Sequence, residues 1–398
     1  MRKTFILILL LFVAFYLSSC AQIERTRTEI DRSFIVRIIS IDKGQDGKVK
    51  VTLTTKSTTS GGNGGGGGGG GGQSQQQSAE SIAAEGETMF EAVRNSLTYA
   101  EKRPHFGHTE FILIGEEIAR EGVLPYLDFI SRQSEFRYNA KLYIVKGETA
   151  NSIVKKTNTK KMFAGDRLSS IEQGIKKVSV ASTVSLNEAI FIFDNKQLAT
   201  FIPYLEAVNS ISETEKKDLY DIKVSGYSVF NGDKLSMFLT DKESRGINFL
   251  MNRVGSGVIV VKGKNGETVS LEIVESKAKR YPKIQGDDIS CTIKVSLITN
   301  IGEIEGTQAE FDEESLQYLR KQQENVVKKE IEHIISLAQE KNADFFSAVT
   351  SFGFRYPGMR DEFASQWKEL FPKIKFNVEV ESQVARTYLI KEPTGGKK

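Results

Sequence analysis

"EFILIGEEIAREGVLPYLDFISRQSEFRYNAKLYIVKG", residues 110–147, carries two short apolar runs with two amphipathic stretches between them. Phe111–Ile114 is continuously apolar and reads as a buried strand. Glu116 and Glu117 then open a short helix, which Gly122 closes. Pro125 stands near the first turn of a further helix over "VLPYLDFISRQSEF", where a missing N–H is tolerated. "AKLYIVKGE" returns as a strand. Strands alternating with helices in this way make a mixed α/β layer.

Upstream, "FIVRIISIDKGQDGKVKVTLTT" reads as a hairpin, two β-rich runs flanking Lys43–Gly47 with Asp46-Gly47 as turn chemistry. "GGNGGGGGGGGGQSQQQS", residues 61–78, follows. It has no side chains to bury, and glycine loses the most entropy on folding, so a disordered loop is expected there. The tract satisfies G-x-G-x-x-G trivially, but a phosphate loop needs a strand before it and a helix N-terminus directly behind it. Glutamines follow instead. A helix is predicted over 84–102, with Met89, Ala92, Val93, Leu97 and Ala100 at helical spacing.

Short amphipathic segments run through 148–217, and from Tyr220 the pattern changes. "DIKVSGYSVFNGDKLSMFLT" is strand, Asn231-Gly232 turn, strand. "GVIVVKGKNGETVSLEIVESKAKRY" is a second hairpin around Asn265-Gly266, and "ISCTIKVSLITNIGEIEG" adds a strand. Helical periodicity then takes over in "DEESLQYLRKQQENVVKKEIEHIISLAQEKN". Its stripe runs from Leu316 and Leu319 to Ile335 and Ala338, with Asp312 as N-cap. "IKFNVEVESQVAR" is a last strand, alternating at Ile374, Phe376, Val378 and Val380. The whole reads as an α+β chain: an N-terminal mixed α/β domain, then a C-terminal antiparallel sheet with long helices, in two or three subdomains. The divisions fall at 20–217 and 218–390, with 1–19 a leader and 391–398 a flexible tail.

The chain opens on Met1, Arg2 and Lys3, then "TFILILLLFVAFYL", which is apolar after Thr4. A membrane span needs about 20 apolar residues to cross ~30 Å. This run stops at Ser18 and suits the ~7–15-residue core of a secretory leader. Leu17-Ser18-Ser19-Cys20 resembles the bacterial lipobox, an aliphatic residue and two small ones before a cysteine. That resemblance implies a diacylglyceryl thioether on Cys20 and cleavage just before it. An ordinary leader with an incidental cysteine and a retained membrane helix are the alternatives. Cys291, the second of the two cysteines, would then have no partner. In its strand-like setting it reads as a buried small hydrophobe. An exported chain without an intramolecular disulfide suits a Gram-positive type of envelope.

Lys and Arg number 54 against 51 Asp and Glu, and loss of Arg2 and Lys3 with the leader lowers the excess from +3 to +1. Such a balance leaves no electrostatic footprint for nucleic acid and no polybasic membrane patch. His105 and His108 stand three apart in "RPHFGHTE" with no cysteine nearby, a weak pattern for metal. They read as hydrogen-bonded residues entering a buried strand, and His333 as a solvated helix residue. No G-x-S-x-G, H-E-x-x-H or Walker pattern occurs. Glu116-Glu117 and Asp312–Glu314 read as a helix start and a helix cap. Trp367, at helical spacing with Phe363 and Leu370, reads as core. No catalytic, cofactor-binding or metal-binding set is assigned.

Residues 107–137, "GHTEFILIGEEIAREGVLPYLDFISRQSEFR", resemble the most recognisable stretch of the Ger(x)C spore-germination lipoproteins: a His-led strand, an "iGeelAr-G" turn and helix, then "ldf-R--e-R". Residues 342–384 resemble a second signature, in which an "aD-fgfg" segment and a Trp precede "fp" and a terminal strand. Asp344 and Gly353 match that segment and are expected to shape a tight connection between the long helix and the Trp367 helix. Glu85-Gly86-Glu87-Thr88 with Glu91-Ala92 is similar to the family's "G-ti-eA" helix start. "GYSVFNGDKLSMFLTDKESRGINFLMN" is similar to its hairpin. Order and spacing together carry the resemblance, from Cys20 to about Arg386. Ala21-Gln22 stand where members often have Trp-Asp, and the glycine tract is not part of the pattern.

The resemblance implies the lipoprotein C subunit of a nutrient germinant receptor. Lipid on Cys20 would hold it on the outer face of the spore inner membrane. Its partners would be integral membrane subunits, and it would be no enzyme and need no cofactor. A solute-binding lipoprotein of an uptake system is the alternative function.

Overall fold

Four strands that are apolar on both faces form the centre of the first sheet. They are β2 (Ile38–Lys43), β6 (Phe111–Gly115), β7 (Lys141–Val145) and β9 (Phe201–Asn209), and neighbours in the order β2-β6-β7-β9 pair parallel. β6 is buried throughout, and β2 and β7 at all but one residue each. Strands covered on both sides are the ones that can stay continuously apolar. The computed structural model describes residues 33–56, 79–158, 163–194, 201–209, 220–286, 288–305 and 312–386. The leader, Cys20, the glycine tract and the C-terminal tail therefore lie outside the described residues.

Antiparallel strands extend this centre on both sides. β3 (Val49–Lys56) pairs with β2, and β4 (Ala79–Gly86) with β3. The tight connection before β3 places Asp46 and Gly47 at φ 51° and 79°, as the Asp-Gly pair suggested. On the far side β10 (Tyr220–Asn231) pairs with β9, and β11 (Lys234–Phe238) with β10. With β8 (Val184–Ser185) on β7, the sheet has nine strands among the described residues. β1 (Ser33–Ile35) and β5 (Arg103–His105) make a separate parallel pair.

The parallel centre is a wall between two cores. Ile39, Ile41, Ile112, Ile114, Leu142 and Ile144 face one side. There they pack with α1 (Met89–Ser96), α2 (Glu116–Glu121), α3 (Leu124–Arg132) and α6 (Leu186–Asp194). Ile38, Phe111, Leu113, Tyr143 and Val145 face the other side, toward α4 (Ala150–Asn158), α5 (Ala164–Ile175) and α7 (Asp241–Leu250). That second core continues without a break into the C-terminal half.

The C-terminal sheet has the order β12 (Gly257–Lys262), β13 (Thr268–Gln285), β14 (Asp288–Glu305), β15 (Lys375–Arg386). α8 (Glu313–Glu340) lays Leu319, Val327, Ile331, Ile334, Ile335 and Ala338 into the core, and the Asp312 side chain accepts the Ser315 N–H as its cap. α9 (Ala348–Arg355) and α10 (Arg360–Leu370) return the chain to β15. Across the α7–α8 contact, Arg245 and Glu330 form a two-pronged ion pair, with Nε to Oε2 at 2.9 Å. α7 starts with a capping box between Thr240 and Glu243.

The α+β architecture stands as read, with four differences in detail. First, the helix expected over 84–102 is shorter, because residues 79–86 pair with β3 across their whole length and Thr88 caps α1. The glycine tract thus lies between two paired strands rather than between a strand and a helix. Second, the hairpin after Tyr220 completes the first sheet instead of opening the second. Third, the C-terminal sheet is mostly antiparallel, but β15 runs parallel to β14. Fourth, Gly353 is not a tight point: a Cβ there would meet nothing nearer than 3.6 Å. Gly122 does have a packing role. Its φ is 138°, and a Cβ would lie 2.5 Å from Asp233 Oδ2, where the α2 terminus meets the β10–β11 turn.

Candidate functional site

Two buried aspartates anchor the two halves by one device. Asp42, at the end of β2, accepts the N–H groups of Ala150 and Asn151 at 2.6 and 2.9 Å, at the start of α4. Gly115 leaves room for it: a Cβ there would sit 2.5 Å from Asp42 Oδ1. Asp344 accepts Ala348 and Val349 N–H at 2.8 and 2.9 Å, at the start of α9, and Trp367 Nε1–H at 3.2 Å. Burial pushes both carboxyls up, while the N–H bonds they accept oppose it. Carboxylates so engaged satisfy helix starts; they hold no free lone pair toward solvent for chemistry. Of the two "aD-fgfg" positions, Asp344 shapes the connection and Gly353 does not.

Beside Asp344 lies a groove of about 1040 Å³ between β13, β14, the end of α7 and α9. Arg280 forms its floor. Its guanidinium donates to Leu250 C=O at 2.6 Å, and more distantly to Ser347 C=O and Ser351 Oγ, and it lies over the Phe346 ring. Burial lowers its pKa, against the pull of Asp344 behind it. Lys283 and Arg355 stand on the rim, and no Asp or Glu lines the groove. Tyr281 and Phe354 lie at its rim at 49% and 83% exposure.

One wall of this groove is a strand edge. β12 pairs with β13 only as far as Ile273. Beyond that, the side of β13 away from β14 is met by side chains. Ala278 N–H donates to Asn252 Oδ1 at 2.6 Å and Ala278 C=O accepts Asn252 Nδ2–H at 3.1 Å, while Ile284 N–H donates to the Tyr356 hydroxyl at 3.1 Å.

The residues singled out in the sequence lie elsewhere. His105 Nδ1 is 3.4 Å from Glu135, and its ring is 6.1 Å from that of His108. His108 lines a smaller cleft of about 250 Å³ with Glu110, Lys141 and Glu172. Among the described residues no three potential ligands gather as a metal site. His333 is exposed on α8 beside Glu243 at 3.2 Å. Cys291 is buried on β14 of the C-terminal sheet, its thiol pushed up to about 11 by burial. Trp367 is core, in edge contact with Phe352 and Phe363. Arg280 and its neighbours were not anticipated. The signal available was Pro282 inside a strand-like run, which marks an edge.

Both halves match known families: residues 26–207 the "Spore germination protein N-terminal domain" and residues 225–388 "Spore germination B3/ GerAC like, C-terminal". The chain belongs to the Ger(x)C spore-germination family. It is similar to spore germination protein KC of Bacillus subtilis, at 25% identity over 78% of this chain and 79% of that protein. It is also similar to the putative spore germination protein YfkR of the same organism, at 24% identity over 66% and 67%. Its fold is that of a solved structure described as the GerBC protein, with a TM-score of 0.55, 18% identity, and 87% and 96% of the two chains covered. No helix among the described residues is long and apolar enough to cross a membrane.

Proposed function

We propose that this Ger(x)C protein is the lipid-anchored subunit of a spore nutrient germinant receptor and acts by contact with integral membrane subunits, not by catalysis. The observation that carries the reading is the family match over both halves of the chain. The Leu17–Cys20 lipobox supports the anchor, since two acyl chains on one cysteine hold a protein stably at a membrane where one does so marginally. On this reading the folded part stands outside the spore inner membrane, tethered through residues that precede β1. The uptake alternative calls for two lobes around a hinged cleft, whereas here one apolar core joins the halves.

Intact mass tests the anchor. The mature protein should begin at Cys20 with a diacylglyceryl thioether, and Cys20→Ala should retain residues 1–19. An unmodified Cys20 thiol in the mature protein would overturn the anchor. Nutrient-triggered germination of spores lacking the gene, complemented by wild type or Cys20→Ala, tests the role. Full germination without the gene or its paralogues would overturn it.

A further inference from the structure

We infer that the groove beside β13 is a docking site for an extended acidic segment of a partner protein, which adds as a strand to the free edge of β13 between Ala278 and Ile284. Three independent features meet there. The edge is the first. Ala278 and Ile284 both send their N–H away from β14, and the β13–β14 register is regular from Glu275 to Gln285. The two-residue alternation of a strand therefore turns the backbone of Arg280 and Pro282 the same way. Pro282 has no N–H, so this side presents the Arg280 N–H and the C=O groups of Arg280 and Pro282. Asn252 already grips Ala278 through both its N–H and its C=O, as a neighbouring strand would. With Ala278 held by Asn252 and the Ile284 N–H by Tyr356, the open groups lie from Arg280 to Pro282, a length that pairs with roughly three or four residues of an added segment.

Charge is the second feature. Arg280, Lys283 and Arg355 line the groove with no acid among the lining residues. Lysines on an edge repel a second copy of the same strand, so self-pairing is disfavoured and an acidic segment is matched. The chain's own last residues carry Lys391, Lys397 and Lys398 against Glu392 and have the wrong sign. Shape is the third. Tyr281 and Phe354 give an added strand apolar contacts at the rim, and the concavity suits a chain segment better than a flat lipid surface. The groove would hold such a segment whether or not the chain serves germination.

The test uses the full chain in detergent and a fluorescein-labelled peptide of eight residues alternating Glu and Val, with capped ends. Its controls are the Lys–Val counterpart and the Glu–Val peptide N-methylated at alternate residues. The acidic peptide should bind at least about tenfold tighter than the lysine peptide and weaken with salt. Binding should slow hydrogen exchange at the Arg280 amide. The double variant Lys283→Glu with Arg355→Glu, both exposed positions, should reverse the preference between the two peptides. Equal binding of the N-methylated peptide would refute strand addition. Equal binding of the acidic and lysine peptides, or no binding of either, would refute the site. Capture of the chain through Phe354 by vesicles of anionic lipid, with no effect of the peptide, would assign the patch to a membrane surface and refute it too.

Discussion

Asp344→Ala should be among the most damaging single changes in the C-terminal half. The carboxylate is 3% exposed, and three donors converge on it: Ala348 N–H, Val349 N–H and Trp367 Nε1–H. Each buried donor left without an acceptor costs about 1–3 kcal/mol. The first turn of α9 can tilt its amides a little, so the total is expected at about 3–5 kcal/mol. With roughly 2 °C lost per kcal/mol in a chain of this size, the melting temperature should fall by about 6–10 °C in calorimetry. Asp344→Asn keeps one carbonyl acceptor and should lose about half as much. The pH dependence has a definite sign. Burial holds the native carboxyl pKa above 3.8, so the native state binds this proton more tightly than the unfolded chain. The linked stability is full below 3.8 and falls as pH rises through the native value. Asn does not ionise, so the gap between wild type and Asp344→Asn should narrow as pH is raised above 3.8. A loss below about 1 kcal/mol in Asp344→Ala would refute the capping role. A gap that widens with pH would show that the N–H bonds and Arg280 outweigh burial.

Gly353→Ala should stabilise by about 0.5–1 kcal/mol, since a mid-helix glycine gives way to a better helix former with its nearest contact at 3.6 Å; a fall in melting temperature would mean a hidden close approach. Arg245→Ala leaves Glu330 part-buried and unpaired at the α7–α8 contact. It should lose about 2–3 kcal/mol, less than the ~3–5 of a fully buried pair. Because the halves share a core, limited proteolysis of this variant should attack both together, and survival of a folded N-terminal fragment would argue otherwise. Cys291, its thiol pushed up to about 11 by burial, should stay inert to a thiol reagent at pH 8 until denaturant is added; rapid native-state labelling at Cys291 would contradict its burial.

The buried centre of the first sheet was legible because Phe111–Ile114 and Leu142–Val145 are apolar at every position, a pattern a doubly covered strand sustains; that its strands run parallel was not. The helix start at Glu116, its stop at Gly122 and the Asp312 cap were legible from local chemistry. Residues 79–86 were not. "AESIAAEG" has the composition of a helix, and pairing with β3 overrides that preference. The direction of β15 could not be read either, since alternation has period two in parallel and antiparallel strands alike. The groove was hidden for a different reason. Arg280 stands among ordinary strand lysines in the sequence, and its depth is created by Ser347, Ser351 and Tyr356, some seventy positions later.

The wall between the two cores also sets an order of events in biosynthesis. A chain made from its N-terminus has β2, β6, β7 and β9 in hand before Tyr220 appears, and β9 is then the open edge of the sheet. The face bearing Ile38, Phe111 and Tyr143 likewise waits for Ile247, Phe249 and the strands beyond them. An exposed edge next to an uncovered apolar face is a template for mispairing and aggregation. Pairing through β11 and the arrival of Ile247 and Phe249 on that face end the exposure. Cutting the gene after residue 217 would make it permanent, so the N-terminal half should be obtained as inclusion bodies unless it is extended through Phe238 and α7.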